Sequence, residues 1–467
     1  MAIPGHCGKY RRIKGLEIRG ASAMTRIVSR KGPRVATNCG SARRSPRRPP
    51  ARLLAGVVSA FSLLVLGGCA FIFSEKRTVY QFDPGYGVES SEFVRSLDGL
   101  GTEMVPGNRA RLLENGEGIF PAMLDAIASA EKSVNLEIYI FDHGTIATRF
   151  AEALAERARA GVEVRLLVDG WGSSLGPLEA RMTAAGARVR VYKPLKLYSI
   201  DRVGNRTHRR ILTIDGRIGF CGGVGIDDRW KGNARDPGEW RDTMVEIEGP
   251  VVAQLQHVFA QDWIHTTGEV LNGDRQFPAI ADAGTVQAQA IAAARADSIS
   301  MSKLVLYMAI QAARRRIWIE NAYFVPDRQI REGLAAAARR GVDVRVIVPG
   351  AHTDSPNVRL AARYHFGVLL QAGVGIYEYR PTMMHNKVMV VDGIWSTVGS
   401  INFVNRSMTK NAEVNVAVYD RAFAAKVEKM VLADLARCDV LTESQWKQRG
   451  FVTRVGELFF FLFSENY

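Results

Sequence analysis

The chain has 467 residues, 47% of them hydrophobic and 23% charged, enough apolar sequence for a sizeable core and too much for a chain disordered throughout. Its formal net charge is +15, yet residues 1–52 hold 14 Lys/Arg against the single acid Glu17, leaving only +2 over the remaining 415 residues. So neutral a body excludes a protein built to grip a nucleic-acid backbone, which needs clustered cations.

In chain order, residues 1–52 read as a disordered basic leader. Residues 53–73 follow, apolar apart from Ser59 and Ser62, with Arg43, Arg44, Arg47, Arg48 and Arg52 just before them. This run is either a secretory signal segment or a single membrane span, since about 20 apolar residues cross a bilayer. The cationic flank is expected to stay in the cytoplasm and place everything after it outside, in the periplasm. Leu66-Gly67-Gly68-Cys69-Ala70 resembles a bacterial lipobox, in which Cys69 becomes an acylated mature N-terminus. We prefer this lipoprotein reading to an uncleaved anchor, and Met24 is an alternative start. The mature chain then keeps Cys221 and Cys438, which supply neither a disulfide framework nor a metal-ligand spacing. No metal or other cofactor is expected.

The rest of the chain is a duplication. Strand patterns at Val134–Phe141 and Ile317–Phe324 carry Glu137 and Glu320 in matching places. Ala-rich helical patterns at Phe150–Ala160 and Ile330–Arg340 each lead through a glycine into a β-branched strand, Gly161–Gly170 and Gly341–Gly350. Ala185–Tyr192 pairs with Ala372–Tyr379. A period near 180 residues is too long for a solenoid, so the spacing predicts two homologous α/β domains, 104–265 and 298–445. Residues 266–297 read as the linker and 446–467 as a C-terminal tail. Within that tail Val455–Phe463 is too short to span a bilayer; it suits either an interface or packing on the core.

Late in each half stands a motif with chemistry in it. His385-Asn386-Lys387 is followed by Asp392 and by Gly399-Ser400-Ile401-Asn402. The earlier copy runs His208-Arg209-Arg210, Asp215, then Gly222-Gly223-Val224-Gly225. On a strand, residues i and i+2 share a face, so His385 stands beside Lys387 and His208 beside Arg210, with Ser400 and Asn402 together on the next strand. An imidazole beside a fixed cation, with neutral donors opposite, suits a phosphodiester. We expect Arg210, Lys387, Ser400 and Asn402 to hold its oxygens. Each histidine needs an orienting carboxylate, for which Glu413 and Asp242 are the candidates. Asp215 and Asp392 complete the catalytic motifs, with the task of holding the His/Lys strand through two-residue hairpin turns. Glu137 and Glu320 suit either site residues or buried carboxylates paired with an arginine, and stay out of the catalytic set.

These motifs identify the chain as a member of the phospholipase D superfamily, with the pattern HxKx4Dx6GSxN complete in the second half. In the first half Arg210 replaces lysine, and Gly223 and Gly225 replace serine and asparagine. Guanidinium is planar and bidentate, so Arg210 is not a silent change at a tight phosphate site. Thr207–Ile211, Gly222–Ile226, Trp240–Thr243, Glu248–Gln256, Ile319–Asp327, Thr397–Asn402 and Asn405–Ser407 resemble bacterial cardiolipin synthases, over residues 107–440. The resemblance implies two phospholipase D-like domains, each a mixed sheet flanked by helices, about a pseudo-twofold axis with one active site between them. It implies His208 as nucleophile and His385 as acid/base, and metal-free transfer of a phosphatidyl group from phosphatidylglycerol or a related phospholipid to a second phospholipid alcohol.

The expected partner is therefore a phospholipid membrane rich in anionic lipids, with no nucleic acid, and a monomer suffices through its two halves. The basic stretch from Leu195 to Arg210 is read as facing headgroups. Two rival readings stay open: a phospholipase D or phosphodiesterase using water, and a catalytically impaired lipid-binding homologue.

Overall fold

The computed structural model describes residues 78–101, 103–194, 206–293 and 300–463. The basic leader, the 53–73 segment with Cys69, and the basic stretch up to residue 205 lie outside the described residues. No described helix is long and apolar enough to cross a membrane.

Among the described residues fifteen strands form one mixed sheet. The first half contributes β1 (Val105–Glu114), β2 (Ser133–Ile138), β3 (Glu163–Asp169), β4 (Arg188–Tyr192), β5 (Ile211–Ile214), β6 (Ile218–Gly222) and β7 (Thr243–Glu248). The second contributes β8 (Val286–Ala292), β9 (Arg316–Asn321), β10 (Asp343–Pro349), β11 (Gly375–Tyr379), β12 (Lys387–Val391), β13 (Trp395–Gly399), β14 (Val414–Tyr419) and β15 (Cys438–Leu441). From the centre outward one half reads β1-β7-β6-β5-β2-β3-β4 and the other β8-β14-β13-β12-β9-β10-β11, capped by β15. The halves join where β1 runs antiparallel to β8, with Val105 opposite Ala288. The region read as a linker thus contains the central strand. Its alanines and glutamines are weak strand formers, and pairing with β1 on one side and β14 on the other overrides that preference.

Helices cover both faces. They are α1 (Ser91–Asp98), α2 (Asn115–Ala128), α3 (Thr145–Arg159), α4 (Pro177–Ala184), α5 (Val252–Thr267), α6 (Met301–Ala312), α7 (Arg328–Arg339), α8 (Pro356–Gln371), α9 (Asn405–Thr409), α10 (Arg421–Leu435), α11 (Glu443–Lys447) and α12 (Phe451–Leu462). Strand alternation sorts the core. On β5, Leu212 and Ile214 pack toward α2–α4, while Ile211 joins the layer under α5 and α10; on β12, Met389 and Val391 face α6–α8 while Val388 and Val390 face α10. That last layer runs unbroken across both halves, which fixes β5 and β12, and so both motifs, in one frame.

The motif aspartates sit in the β5–β6 and β12–β13 turns. Asp215-Gly216 and Asp392-Gly393 have φ values of 51° and 63°, and 52° and 67°, the left-handed pair that a tight hairpin requires. Asp215 accepts from the N–H groups of Glu131, Lys132 and Ser133 at 2.7–3.0 Å, and Asp392 from those of Arg314, Arg315 and Arg316 at 2.8 Å. Each stands at the far end of its strand from the histidine, tying the turn to a neighbouring β-strand start, the strand-holding task expected of it. Asp392→Ala is expected to cost about 3 kcal/mol of stability, from three orphaned donors and a strained φ. Denaturant melts would show that loss, with turnover per folded molecule close to wild type.

The C-terminal tail contains a helix packed on α8, with Phe461 stacked on Tyr364 at 4.6 Å between ring centroids. Its polarity is reversed for a water-facing helix. Glu457, its one acid, is buried against Arg449 at 2.6 Å, while Phe451 and Val452 are 80% and 83% exposed.

Candidate active site

The two motif histidines line one cavity of about 410 Å³, with Tyr139, Arg206, Arg210, Arg229, Trp240, Tyr323, Asn402, Arg406 and Ser407 among its walls. A wider cavity of about 1000 Å³ lies beyond Arg206 and Asn411 and holds neither histidine.

Each histidine is oriented by the opposite half. His208 Nδ1 lies 2.9 Å from Glu413 Oε2, and His385 Nδ1 lies 2.7 Å from Asp242 Oδ2. Backbone pairing produces the exchange. His208 N donates to Ala412 O at 2.9 Å, and His385 N donates to Arg241 O at 2.7 Å, so each histidine segment runs beside the segment bearing its carboxylate. Glu413 and Asp242 are fully buried. The site is therefore complete only when both halves are present.

The shorter contact to a charged carboxylate assigns the tautomers: Nδ1–H donates to Asp242 or Glu413, leaving Nε2 facing the cavity as a base. Burial, then the Arg210 charge, pushes His208 down to about 4, and burial, then Lys387, pushes His385 down to about 3. Lys387 itself is pushed down to about 7, by burial and then by Arg210. Burial raises the Asp242 carboxyl, but His385, their hydrogen bond and Lys387 outweigh it and hold it below the usual range. With no anion bound, both imidazoles are neutral at pH 7.

A histidine with a lowered folded pKa takes up its proton first in the unfolded chain, so stability falls as pH drops from about 6.5 toward 4. A His208→Asn, His385→Asn double variant is expected to lose less melting temperature over that window than the wild type. Equal slopes in the two proteins would contradict the burial account.

The cations stand where the alternation puts them. Arg210 Nη1 donates to His208 O at 2.7 Å, and Nη2 reaches His208 Nε2 at 3.1 Å. Lys387 Nζ reaches His385 O and lies 3.0 Å from its Nδ1. Arg210 Nε and Asn402 Oδ1 are buried with no hydrogen-bond partner among the described residues. Ser400 does not join the phosphate ligands as expected. Its hydroxyl donates to Glu413 Oε2 at 2.6 Å, and Ser407 donates to Oε1, so both serines anchor the carboxylate.

The first half solves the same problem with other residues. Trp230 Nε1 donates to Asp242 Oδ2 at 2.8 Å and the Thr243 N–H donates to Oδ1 at 2.8 Å. A Cβ on Gly223 would collide with the Asp242 carboxylate, and one on Gly225 with the Trp230 ring. The Gly-Gly-Val-Gly turn thus makes room for a tryptophan in the role that Ser400 fills across the axis. Trp230 was missed in the sequence because a lone tryptophan has no partner signal. Trp230 and Trp240 also pack on the His385 ring, at 5.4 and 5.3 Å, and Tyr139 on the His208 ring at 4.8 Å.

Below the histidines lie two matching acid clusters. Glu137 accepts from the Thr207 hydroxyl, and Glu320 from the Asn386 amide. Arg209 binds Asp262 at 2.6 Å in the first cluster, and Arg241 binds Asp434 at 2.8 Å in the second. Burial drives both glutamates well above the carboxylate range. They hold the side chains of Thr207 and Asn386, each next in sequence to a motif histidine. Arg209, read as facing headgroups, points instead into this interior. The described residues contain no cluster of three or more His, Cys, Asp or Glu placed to hold a metal.

The family described as "Cardiolipin synthase, PLD-like domain" matches twice, at residues 123–263 and 306–435. The cardiolipin synthase of Geobacillus kaustophilus is 36% identical over 356 residues, covering 75% of this chain and 70% of that protein. The chain belongs to the cardiolipin synthase family of phospholipase D-like proteins. The probable cardiolipin synthase YwiE of Bacillus subtilis is 36% identical over 76% of this chain and 71% of its own length; cardiolipin synthase A of Pseudomonas fluorescens is 34% identical over 78% and 76%. The fold also resembles the phosphatidylserine synthase of Haemophilus influenzae, with a TM-score of 0.61 at 12% identity, covering 79% of this chain and all of that one. The family's double match coincides with the two halves that share the cavity.

Proposed function

We propose that this protein is a phosphatidyltransferase that makes cardiolipin from two molecules of phosphatidylglycerol. The observation that carries the reading is the pair of neutral histidines, each held by a carboxylate from the other half, facing one cavity in a chain of this family. One imidazole can attack phosphorus while the other manages the proton, which is what two-step transfer needs.

In the first step Nε2 of His208 attacks the donor phosphorus and the bond to the glycerol headgroup breaks. His385, protonated once the phosphate anion has entered, gives its proton to the leaving oxygen. In the second step His385 takes the proton of the incoming hydroxyl, that oxygen bonds to phosphorus, and His208 is released. Arg210 and Lys387 hold the non-bridging oxygens, Arg210 moving off His208 Nε2 as the phosphate arrives. Glu413 and Asp242 stabilise each imidazolium in turn.

A membrane-bound substrate fits the reversed polarity of α12 and exposed Trp171 beside Arg206. It also fits a bacterial membrane location with the catalytic part outside the cytoplasm, tethered through Cys69 or the 53–73 segment, and action as a monomer on lipid rather than nucleic acid. The test is full-length protein on vesicles of phosphatidylglycerol, with products separated. Cardiolipin plus free glycerol supports transfer; phosphatidic acid as the main product would replace it with hydrolysis.

A further inference from the structure

The two sides of the cavity differ in what their tyrosines bind. Tyr139 packs on His208, and its hydroxyl accepts from Arg206 Nη1 at 3.0 Å. Tyr323 packs on His385, at 6.0 Å between ring centres, with Lys387 Nζ 5.8 Å from its ring centre. Its hydroxyl donates to Asp354 Oδ2 at 2.7 Å. Burial, then the Asp354 charge, raises Tyr323 well above the phenol range, so the phenol keeps its proton and is the donor. The twofold likeness ends at these partners: the His208 tyrosine meets a cation and the His385 tyrosine an acid.

Among the described residues that line this cavity, Asp354 is the only acid. An acid on the wall of a phosphate site repels the reacting group, so its place there calls for a reason. Its bonds within the fold do not supply one. It stands two residues before α8 without capping it, for the Tyr323 hydroxyl is its one hydrogen-bond partner among the described residues. Oδ1 is left without a donor. Arg229 and Lys387 feel its charge, but Arg229 is bound to Asp227 at 2.9 and 3.0 Å, and Lys387 reaches His385 O. Asp354 forms no ion pair among the described residues.

A carboxylate with an open oxygen can hold a hydroxyl. The alcohol of each step lies on the His385 side, because His385 gives a proton to the leaving oxygen and takes one from the entering oxygen. In phosphatidylglycerol the leaving glycerol carries a hydroxyl on the carbon next to the reacting one. The entering lipid alcohol carries one there too, so a single acceptor beside His385 meets the same group in both steps. Water and simple alcohols lack it. We propose that Asp354, held by Tyr323, accepts a hydrogen bond from the hydroxyl vicinal to the reacting oxygen, and so selects a vicinal diol over a simple alcohol or water. The proposal rests on the transfer reading above. An ammonium in the same place is disfavoured by the charges of Arg229 and Lys387.

The test gives full-length protein, on phosphatidylglycerol vesicles, equal concentrations of propylene glycol, n-propanol and ethanolamine, and separates the phosphatidyl products. Wild type is expected to favour propylene glycol over n-propanol by about tenfold, the effect of one hydrogen bond to a charged acceptor. Asp354→Ala should bring that ratio close to one. Tyr323→Phe, which leaves the carboxylate unheld, should lower it part of the way. A ratio near one in the wild type, or one that survives Asp354→Ala, overturns the subsite and leaves transfer standing. So does a wild-type preference for ethanolamine over propylene glycol that Asp354→Ala abolishes. Wild-type protein that forms neither cardiolipin nor any phosphatidyl alcohol overturns the transfer reading itself.

Discussion

Replacing either His208 or His385 with alanine is expected to lower phosphatidyl transfer by at least about 10³-fold, with the double variant little worse than either single one. The reason is that the histidines act as a unit. One is the attacking atom, and without it no covalent intermediate forms; the other moves the proton in both steps. Both are buried and both feel Arg210 and Lys387, so neither half supplies a working remainder. The two losses differ in kind. With His208 as nucleophile, His385→Ala with a donor bearing a good leaving group should still accumulate the phosphatidyl-histidine, while His208→Ala should not. Quenched-flow assays with such a donor separate the cases. Additive losses, multiplying in the double variant, would contradict a shared site.

Asp242→Asn is expected to cost about 10³-fold in turnover through the histidine of the other half. Asp242 fixes the tautomer of His385, and an amide in its place can present a donor to Nδ1 and turn the wrong nitrogen toward the cavity. The carboxylate is also the acceptor for Trp230 Nε1 and Thr243 N, so Asp242→Ala should cost a further few kcal/mol of stability from buried unpaired donors. The crossed arrangement makes a sharp distinction. Asp242→Asn should behave like His385→Ala in adduct accumulation, whereas Glu413→Gln should behave like His208→Ala. If the carboxylates served their own halves, these two assignments would be reversed.

The sequence was most informative where chemistry depends on local spacing. A strand's alternation put Lys387 beside His385 and Arg210 beside His208, and the Asp-Gly pairs marked their hairpins. The repeat predicted two equivalent halves, and their strand orders match. Glu413 and Asp242 were legible as the orienting carboxylates, each expected to serve the histidine of its own half; the exchange was not, because Ala412–Glu413 and Arg241–Asp242 reach the opposite histidine through single backbone bridges across the axis. No periodicity records such a crossing. Ser400 shares a motif with Asn402, but its rotamer faces Glu413, which spacing alone does not disclose. The reason for Gly223 and Gly225 also lay outside the motif, in Trp230 and Asp242. Strand β8 was read as linker because its own residues are weak strand formers and its neighbours β1 and β14 supply the preference.

The most direct test of the central claim, one site shared by two halves and working through a histidine adduct, is to quench the enzyme during turnover of phosphatidylglycerol labelled at phosphorus and map the labelled peptide. The account predicts an acid-labile, base-stable label on His208 that is lost in Glu413→Gln as it is in His208→Ala. Cardiolipin formed at full rate with no label on either histidine would contradict it.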